Sequence, residues 1–315
     1  MSFLSTAVQT VLEEGPFCAV ATDTPGGPHC TPLVFAYSGG RVWLTTSRGS
    51  VKARAWKADP GVAGLIRHGE LSVTFTGTTK TYDALDRNTW GSAVTGATSI
   101  ARATARFSKK NARFFAGYAM DARQVPLAWT PPGRVFVGID LERTALMDGD
   151  GVQEGRGRWG GSASSHPTFR AARSGDDPLA ALPGDIRGEL GSGGDGVLAV
   201  TGDRGPVVLP VRWRVQGPSL FAALPAETLA LAGAGPDAPV ALTIDRASVW
   251  RARDMVGAMA QGTGALFVAD DLGSGAKSAR ALAADIAPGA DALVRITLRR
   301  LVWWKGWTSG SAALA

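Results

Sequence analysis

Between Thr45 and Lys57 the chain reads TTSRGSVKARAWK, a run whose residue types suit the binding of an anion. Thr45 and Thr46 end a segment of strand character and offer hydroxyls to phosphate oxygens. Ser50 stands where it caps a helix reaching Lys57, and the free N–H groups and dipole of a helix start favour negative charge. Lys52 falls in the first turn, where its ammonium meets a dianion. The plainer alternative is a simple helix cap beside a solvated lysine. Elsewhere the chemistry is sparse. His29, His68 and His166 are too scattered for a metal site with sequence-local ligands, and Cys18 and Cys30 form no CxxC pair. The glycine-rich Gly191–Gly196 lacks a Walker lysine-serine, and Ser162, Ser164 and Ser165 beside His166 lack the strand–turn–helix setting of a nucleophile elbow.

The elements that must position the anion-binding run have the texture of antiparallel β-structure. Cys18–Thr22 reads as a short apolar strand, Pro25-Gly26-Gly27 as a turn, His29–Tyr37 as a second strand, and Ser38-Gly39-Gly40 as a turn before Arg41–Thr46. Three strands joined this tightly form a meander that curls into a barrel. After the helix, stopped by Pro60, Val62–Ile66 and Leu71–Gly77 resume strand character. Thr104–Arg123 is expected to be a helix with Phe107, Phe114, Phe115 and Tyr118 largely on one face.

An internal repeat sets the architecture. Phe17–Thr46 aligns with Gly196–Leu224 when one residue is deleted from the second stretch, so that Thr22 meets Thr201, Pro28 meets Pro206, Pro32 meets Pro210, Phe35 meets Trp213, Gly39 meets Gly217 and Trp43 meets Phe221. Arg134–Gly149 aligns with Asp291–Gly306. The expectation is a mainly β protein with peripheral helices: two β-barrels, at residues 1–149 and 196–315, joined by a Gly- and Ser-rich linker over 150–195 with a short helix near Pro178–Leu182. In the second copy Thr228 falls at the Ser50 position, with Leu229 and Ala230 in place of Val51 and Lys52. A phosphate buried there has no cation, which is costly, so one working site is expected per chain.

Composition narrows the class. With 45% hydrophobic and 19% charged residues the chain folds rather than staying disordered. The formal charge of +6 is spread without a dense basic run, which argues against a nucleic-acid partner. No apolar stretch approaches a membrane span, and the N-terminus lacks secretory signal features, so a cytoplasmic protein with two reduced thiols is expected.

The ordered series of strand, PGGPHCTP turn and strand, glycine turn, aromatic strand and TTSRGSVKARAWKADPGVAGLI resembles the pyridoxamine 5′-phosphate oxidase-like family of flavin-binding split barrels. The resemblance covers Phe17–Gly77 well and later segments loosely. It implies two split β-barrels fused as a pseudo-dimer with FMN between them, the phosphate on Thr45, Thr46, Ser50 and Lys52, and the ring along the second strand at Thr31, Leu33 and Val34. Val51 departs from the family's Ser-Arg-Lys series, leaving Arg48 or Arg54 to restore the charge. Trp303, Trp304 and Trp307 either stack on the ring or seal the interface, with Met259 and Gln261 as weaker candidates. His29 is either a substrate contact or a satisfied strand histidine. The implied function is a flavin-dependent oxidoreductase acting on a small molecule. Pyridoxamine phosphate itself does not follow, because Trp303-Trp304-Lys305 stands where a basic substrate-phosphate cluster is expected. The alternatives are a deazaflavin-dependent reductase, a non-enzymatic flavin- or haem-binding module with His29 or His68 as axial ligand, and a ligand-free assembly module.

Overall fold

The computed structural model describes residues 4–83, 85–121, 123, 125–126, 133–166, 168–169, 175–246, 251–268 and 274–314, with backbone alone at 92, 93, 95 and 274–276. Helix α1 (Thr6–Glu14) opens on Ser5, whose Oγ accepts from the Val8 amide, and it buries Val8, Val11 and Leu12 on one face. Then come β1 (Cys18–Thr22), β2 (His29–Leu33), β3 (Phe35–Ser38), β4 (Arg41–Ser47), α2 (Val51–Ala58), β5 (Gly61–His68) and β6 (Leu71–Tyr82). Helices α3 (Trp90–Thr95), α4 (Ala97–Lys110) and α5 (Ala112–Met120) lead into β7 (Arg134–Asp148) and β8 (Gly151–Arg156). The sheet order is β2-β1-β5-β6-β7-β4-β3, with β8 on β7. The second strand expected over His29–Tyr37 is therefore broken at Val34: the chain leaves one sheet edge at Leu33 and re-enters at the other at Phe35, the opening of a split barrel. The single helix expected over Thr104–Arg123 is also broken. Asn111 interrupts it, donating through Nδ2 to the carbonyls of Phe35 and Phe107, and α5 stops at Met120; Ala122 lies outside the described residues. Phe107 and Phe114 are buried, whereas Phe115 turns outward.

The second half repeats the plan. It comprises α6 (Gly184–Leu190), β9 (Gly193–Gly202), β10 (Gly205–Gln216), β11 (Ser219–Leu224), α7 (Ala226–Ala230), β12 (Asp237–Arg246), β13 (Val256–Val268), α8 (Ser274–Ile286), β14 (Ala292–Lys305) and β15 (Thr308–Ala313). Here β10 runs unbroken against both β9 and β11, and β11 pairs with β14, closing the ring. The same β-bulge recurs, between Thr76 and Gly77 on β6 and between Gln261 and Gly262 on β13. Both bulge positions demand glycine, because a Cβ there would overlap the carbonyl oxygen of Asp140 or Thr297 on the facing strand.

Strand register revises the first part of the alignment. Ala21 faces Cys30 and Ala199 faces Val208, and the hairpin glycines Gly27 and Gly205 both have positive φ. The two hairpins thus match without a deletion, and Thr22 corresponds to Val200 rather than Thr201. The second copy also starts earlier than composition suggested. Helix α6 packs on β12 and β13 as α1 packs on β5 and β6, so the segment read as linker contains the second copy's first helix, while Leu179–Leu182 makes a turn. At its other end, Gly151–Arg156 is strand in the first sheet.

The barrels meet through a continuous apolar core in which Ala19, Ala21, Cys30, Leu65 and Met147 of the first pack with Leu198, Val208, Leu242 and Met259 of the second. Pseudo-twofold contacts stitch it: Thr74 Oγ1 donates to the Val208 carbonyl (2.6 Å), and at the related place the Cys30 amide donates to Met259 Sδ (3.2 Å). Gln261 Nε2 donates to the Pro28 carbonyl at 2.8 Å. Met259 and Gln261 therefore hold the interface rather than line a ligand site. Cys18 and Cys30 are buried free thiols. Among the described residues no helix is long and apolar enough to cross a membrane.

Candidate functional site: a cleft between the barrels

A cleft of about 360 Å³ opens where β2 of the first barrel faces β14 and β15 of the second, a volume typical of small-molecule sites. One wall is His29, Thr31, Leu33 and Val34, presented by β2 and by the break that ends it. A second is the end of β4 with the start of α2, through Thr46, Ser47 and Ser50. Phe17, Phe114 and Tyr118 contribute aromatic surface, and the second barrel supplies Met255, Val302, Trp303, Trp304 and Trp307. Trp307 meets Tyr118 edge-on with ring centroids 5.1 Å apart. Trp304 lies across Gly257 and Trp303 across Gly310, their cross-strand neighbours, which fixes both indoles flat against the sheet.

The polar corner is built locally. Ser50 caps α2, its Oγ accepting from the Ala53 amide at 3.1 Å and lying 3.0 Å from Thr46 Oγ1. The amides of Val51 and Lys52 have no protein acceptor among the described residues, so the helix start keeps two free donors beside these hydroxyls. Across from Ser47, at the start of β7, stands Arg134. Its Nε donates to Thr45 Oγ1 (2.9 Å) and a terminal nitrogen to the Thr45 carbonyl (2.7 Å). Burial lowers its pKa, but a guanidinium stays charged at any ordinary pH. Arg134 is thus the cation of the cleft wall, and Thr45 acts by holding it rather than by lining the cleft.

Sequence reasoning missed Arg134, although its own alignment contained the signal. Arg134 heads the stretch matched to Asp291. In the second copy the Asp291 carboxylate accepts from the Ala226 amide at the start of α7 (2.6 Å), and Glu227 accepts from the Val152 amide (2.5 Å). Where the first copy offers a cation and open donors, the twin places its own carboxylates. Helix α7 opens after Pro225, so Thr228 lies inside it rather than at the cap position that Ser50 holds in the first copy, and Thr228 and Leu229 are fully buried.

The other expected cations sit elsewhere. Arg48 makes a bidentate pair with Asp83, both contacts at 2.8 Å, which holds that carboxyl below its usual range, and Arg54 is exposed. Lys52 is 3% exposed and does not reach the cleft surface; its Nζ donates to Thr31 Oγ1, whose residue lines the cleft. Burial lowers the Lys52 pKa to about 8. Burial, with Lys52 and Arg300 nearby, lowers His29 to about 3, so its imidazole is neutral at physiological pH. Burial pushes Tyr118 up to about 12. His68 is exposed at the end of β5 and does not join His29 in the cleft. Among the described residues no cluster of His, Cys, Asp and Glu is arranged to hold a metal.

Residues 4–127 match the family model described as pyridoxamine 5′-phosphate oxidase. No curated protein matches the chain. Among solved structures, a FAD-binding protein from Mesorhizobium loti is 19% identical over 45% of this chain and 94% of its own, with a TM-score of 0.32. A pyridoxamine 5′-phosphate oxidase-related, FMN-binding protein from Nostoc punctiforme is 14% identical over 47% and 85%, with a TM-score of 0.35. An F420 reductase is 18% identical over 45% and 98%, with a TM-score of 0.30.

Proposed function

Starting from a first barrel that belongs to the pyridoxamine 5′-phosphate oxidase family, we propose that this chain is a flavin-dependent oxidoreductase carrying one FMN in the cleft between its barrels. The observation that carries this reading is the pairing in the first half, and among the described residues not in the second, of a hydroxyl and guanidinium corner with an aromatic-walled cleft. The residues present fit the group: Thr46, Ser50, Arg134 and the open amides of α2 suit a phosphate, and Thr31, Leu33 and Val34 suit the edge of a flat ring system. When bound, FMN supplies two-electron hydride chemistry.

The chain's own part is to bind, orient and exclude water. Trp303, Trp304 and Trp307 give the cleft an apolar roof from the second barrel, so a small-molecule substrate is desolvated on entry. His29, being neutral, offers a hydrogen bond at the cleft wall and holds no spare proton at pH 7. His68 is exposed at the end of β5 and outside the cleft lining, which leaves His29 as the histidine placed at the cleft wall for the haem alternative.

The test is the visible spectrum and mass of the cofactor retained on purification, followed by titration of the stripped protein with FMN. One equivalent of FMN bound per chain, and its loss in Arg134→Met, is the expected result. A deazaflavin in its place, recognised by its shorter-wavelength band, moves the activity to the F420 type. Failure of the wild-type chain to bind either refutes the reading.

A further inference from the structure

Lys52 is a buried ammonium with one hydrogen-bond partner, the hydroxyl of Thr31. An ammonium only donates, so Thr31 Oγ1 must be the acceptor in that contact, and the hydroxyl's own proton is left over. Among the described residues no protein group accepts it. Thr31 lines the cleft. Its hydroxyl is therefore a donor turned towards whatever occupies the cleft, polarised from behind by a positive charge that water cannot screen.

The second barrel shows that this pair is not part of what the barrel needs to fold. The hairpin register puts Leu209 at the Thr31 position, and because α7 opens after Pro225 as α2 opens after Ser50, Glu227 stands at the Lys52 position. No Lys or Arg occurs anywhere from Pro225 to Ala232. Hydroxyl and ammonium are thus both absent from the copy in which Asp291 occupies the helix start. A buried lysine with a single partner destabilises the fold that contains it, and the twin barrel folds without one.

We propose that Lys52 and Thr31 form a charge-assisted donor that tunes the bound cofactor: Lys52 acts as a positioning residue through Thr31, which gives a hydrogen bond to an acceptor atom of the ring system and stabilises the negative charge that atom gains on reduction. This rests on the flavin reading above and departs from the expectation that Lys52 binds the phosphate. The pair makes the reduced cofactor bind more tightly relative to the oxidised one, and removing either partner weakens that preference.

The experiment compares wild type, Lys52→Met, Thr31→Val and the double variant, each loaded with FMN, by midpoint potential and by the dissociation constant of the oxidised form. Each single variant is expected to lose about tenfold in the ratio of reduced to oxidised affinity, which lowers a two-electron potential by about 30 mV. The double variant falls no further. Thr31→Val is nearly isosteric and keeps the test alive should Lys52→Met lose its fold. Unchanged potentials in both single variants overturn the proposal. So does a Lys52→Met effect that persists in full on the Thr31→Val background, since Lys52 would then act without Thr31. Oxidised FMN binding a hundredfold weaker in Lys52→Met with its potential unmoved restores the phosphate role and overturns it too. A wild-type chain that takes up no flavin refutes the underlying reading, an outcome distinct from all of these.

Discussion

Replacing Lys52 with methionine is expected to make the ligand-free protein more stable at neutral pH. Methionine fills nearly the same volume with an apolar, flexible side chain. Burial lowers the Lys52 pKa from an ordinary 10.5 to about 8, and at about 1.4 kcal/mol per tenfold change in proton affinity this corresponds to a penalty of about 3 kcal/mol on the charged form. Thr31 loses a partner in the variant, which costs about 1 kcal/mol. The net gain at pH 7 is then about 2 kcal/mol. The pH dependence identifies the cause. Between about pH 8 and 10.5 the unfolded chain binds the proton that the folded chain releases, so wild-type stability from this group rises with pH across that window. Below pH 8 both states hold the proton and the penalty is present in full. Urea unfolding of both proteins, stripped of cofactor, measures the difference at pH 7, 8.5 and about 10.5, with the variant's advantage shrinking as pH rises and giving way near the top of the range to the loss at Thr31, up to about 1 kcal/mol. A variant less stable than wild type at pH 7, or a difference that does not change with pH, refutes the argument.

Arg134→Met is expected to weaken FMN binding by about a hundredfold, a loss of about 3 kcal/mol for charge-assisted bonds to phosphate, while Asp291→Asn leaves it unchanged; fluorescence titration reads both. Ser50→Ala removes the α2 cap and lowers stability by about 1 kcal/mol, seen as a reduced urea midpoint, in addition to weakening the cofactor. Gly77→Ala and Gly262→Ala each force a methyl onto a facing carbonyl and are expected to lower stability by about 3 kcal/mol or more, by equal amounts in the two barrels, as a thermal melt would show. The His29 ring is expected to show no NMR titration between pH 5 and 8, because its pKa of about 3 keeps it neutral throughout; a midpoint near 6.5 would contradict its placement.

Much of the fold was legible because its signals are local. A short apolar strand and glycine turns marked the hairpins around Cys18–Ser47, and Ser50 marked the start of α2. The duplication was legible because a repeated fold repeats its turn glycines, as at Gly39 and Gly217, both with positive φ. Local signals also misled. Asn111 breaks a helix that the aromatic period draws as continuous, because its amide finds the Phe35 carbonyl across the barrel. Helix α6 was hidden in a Gly-rich stretch because its stability comes from packing on β12 and β13 rather than from propensity.

The sequence alone determined that there are two related barrels, that only the first has a cation-bearing helix start, and that the second carries tryptophans near its end. The tertiary structure decided what those residues do. Helical phase turned Lys52 inward behind Thr31, and the pairing of β7 with β4 brought Arg134 beside Thr45 from 89 residues away. The docking of β14 and β15 against β2 set the tryptophans over the cleft. Caps and alternation are decided within a few residues of chain, whereas a cleft is enclosed by strands that meet only once both barrels have formed and packed.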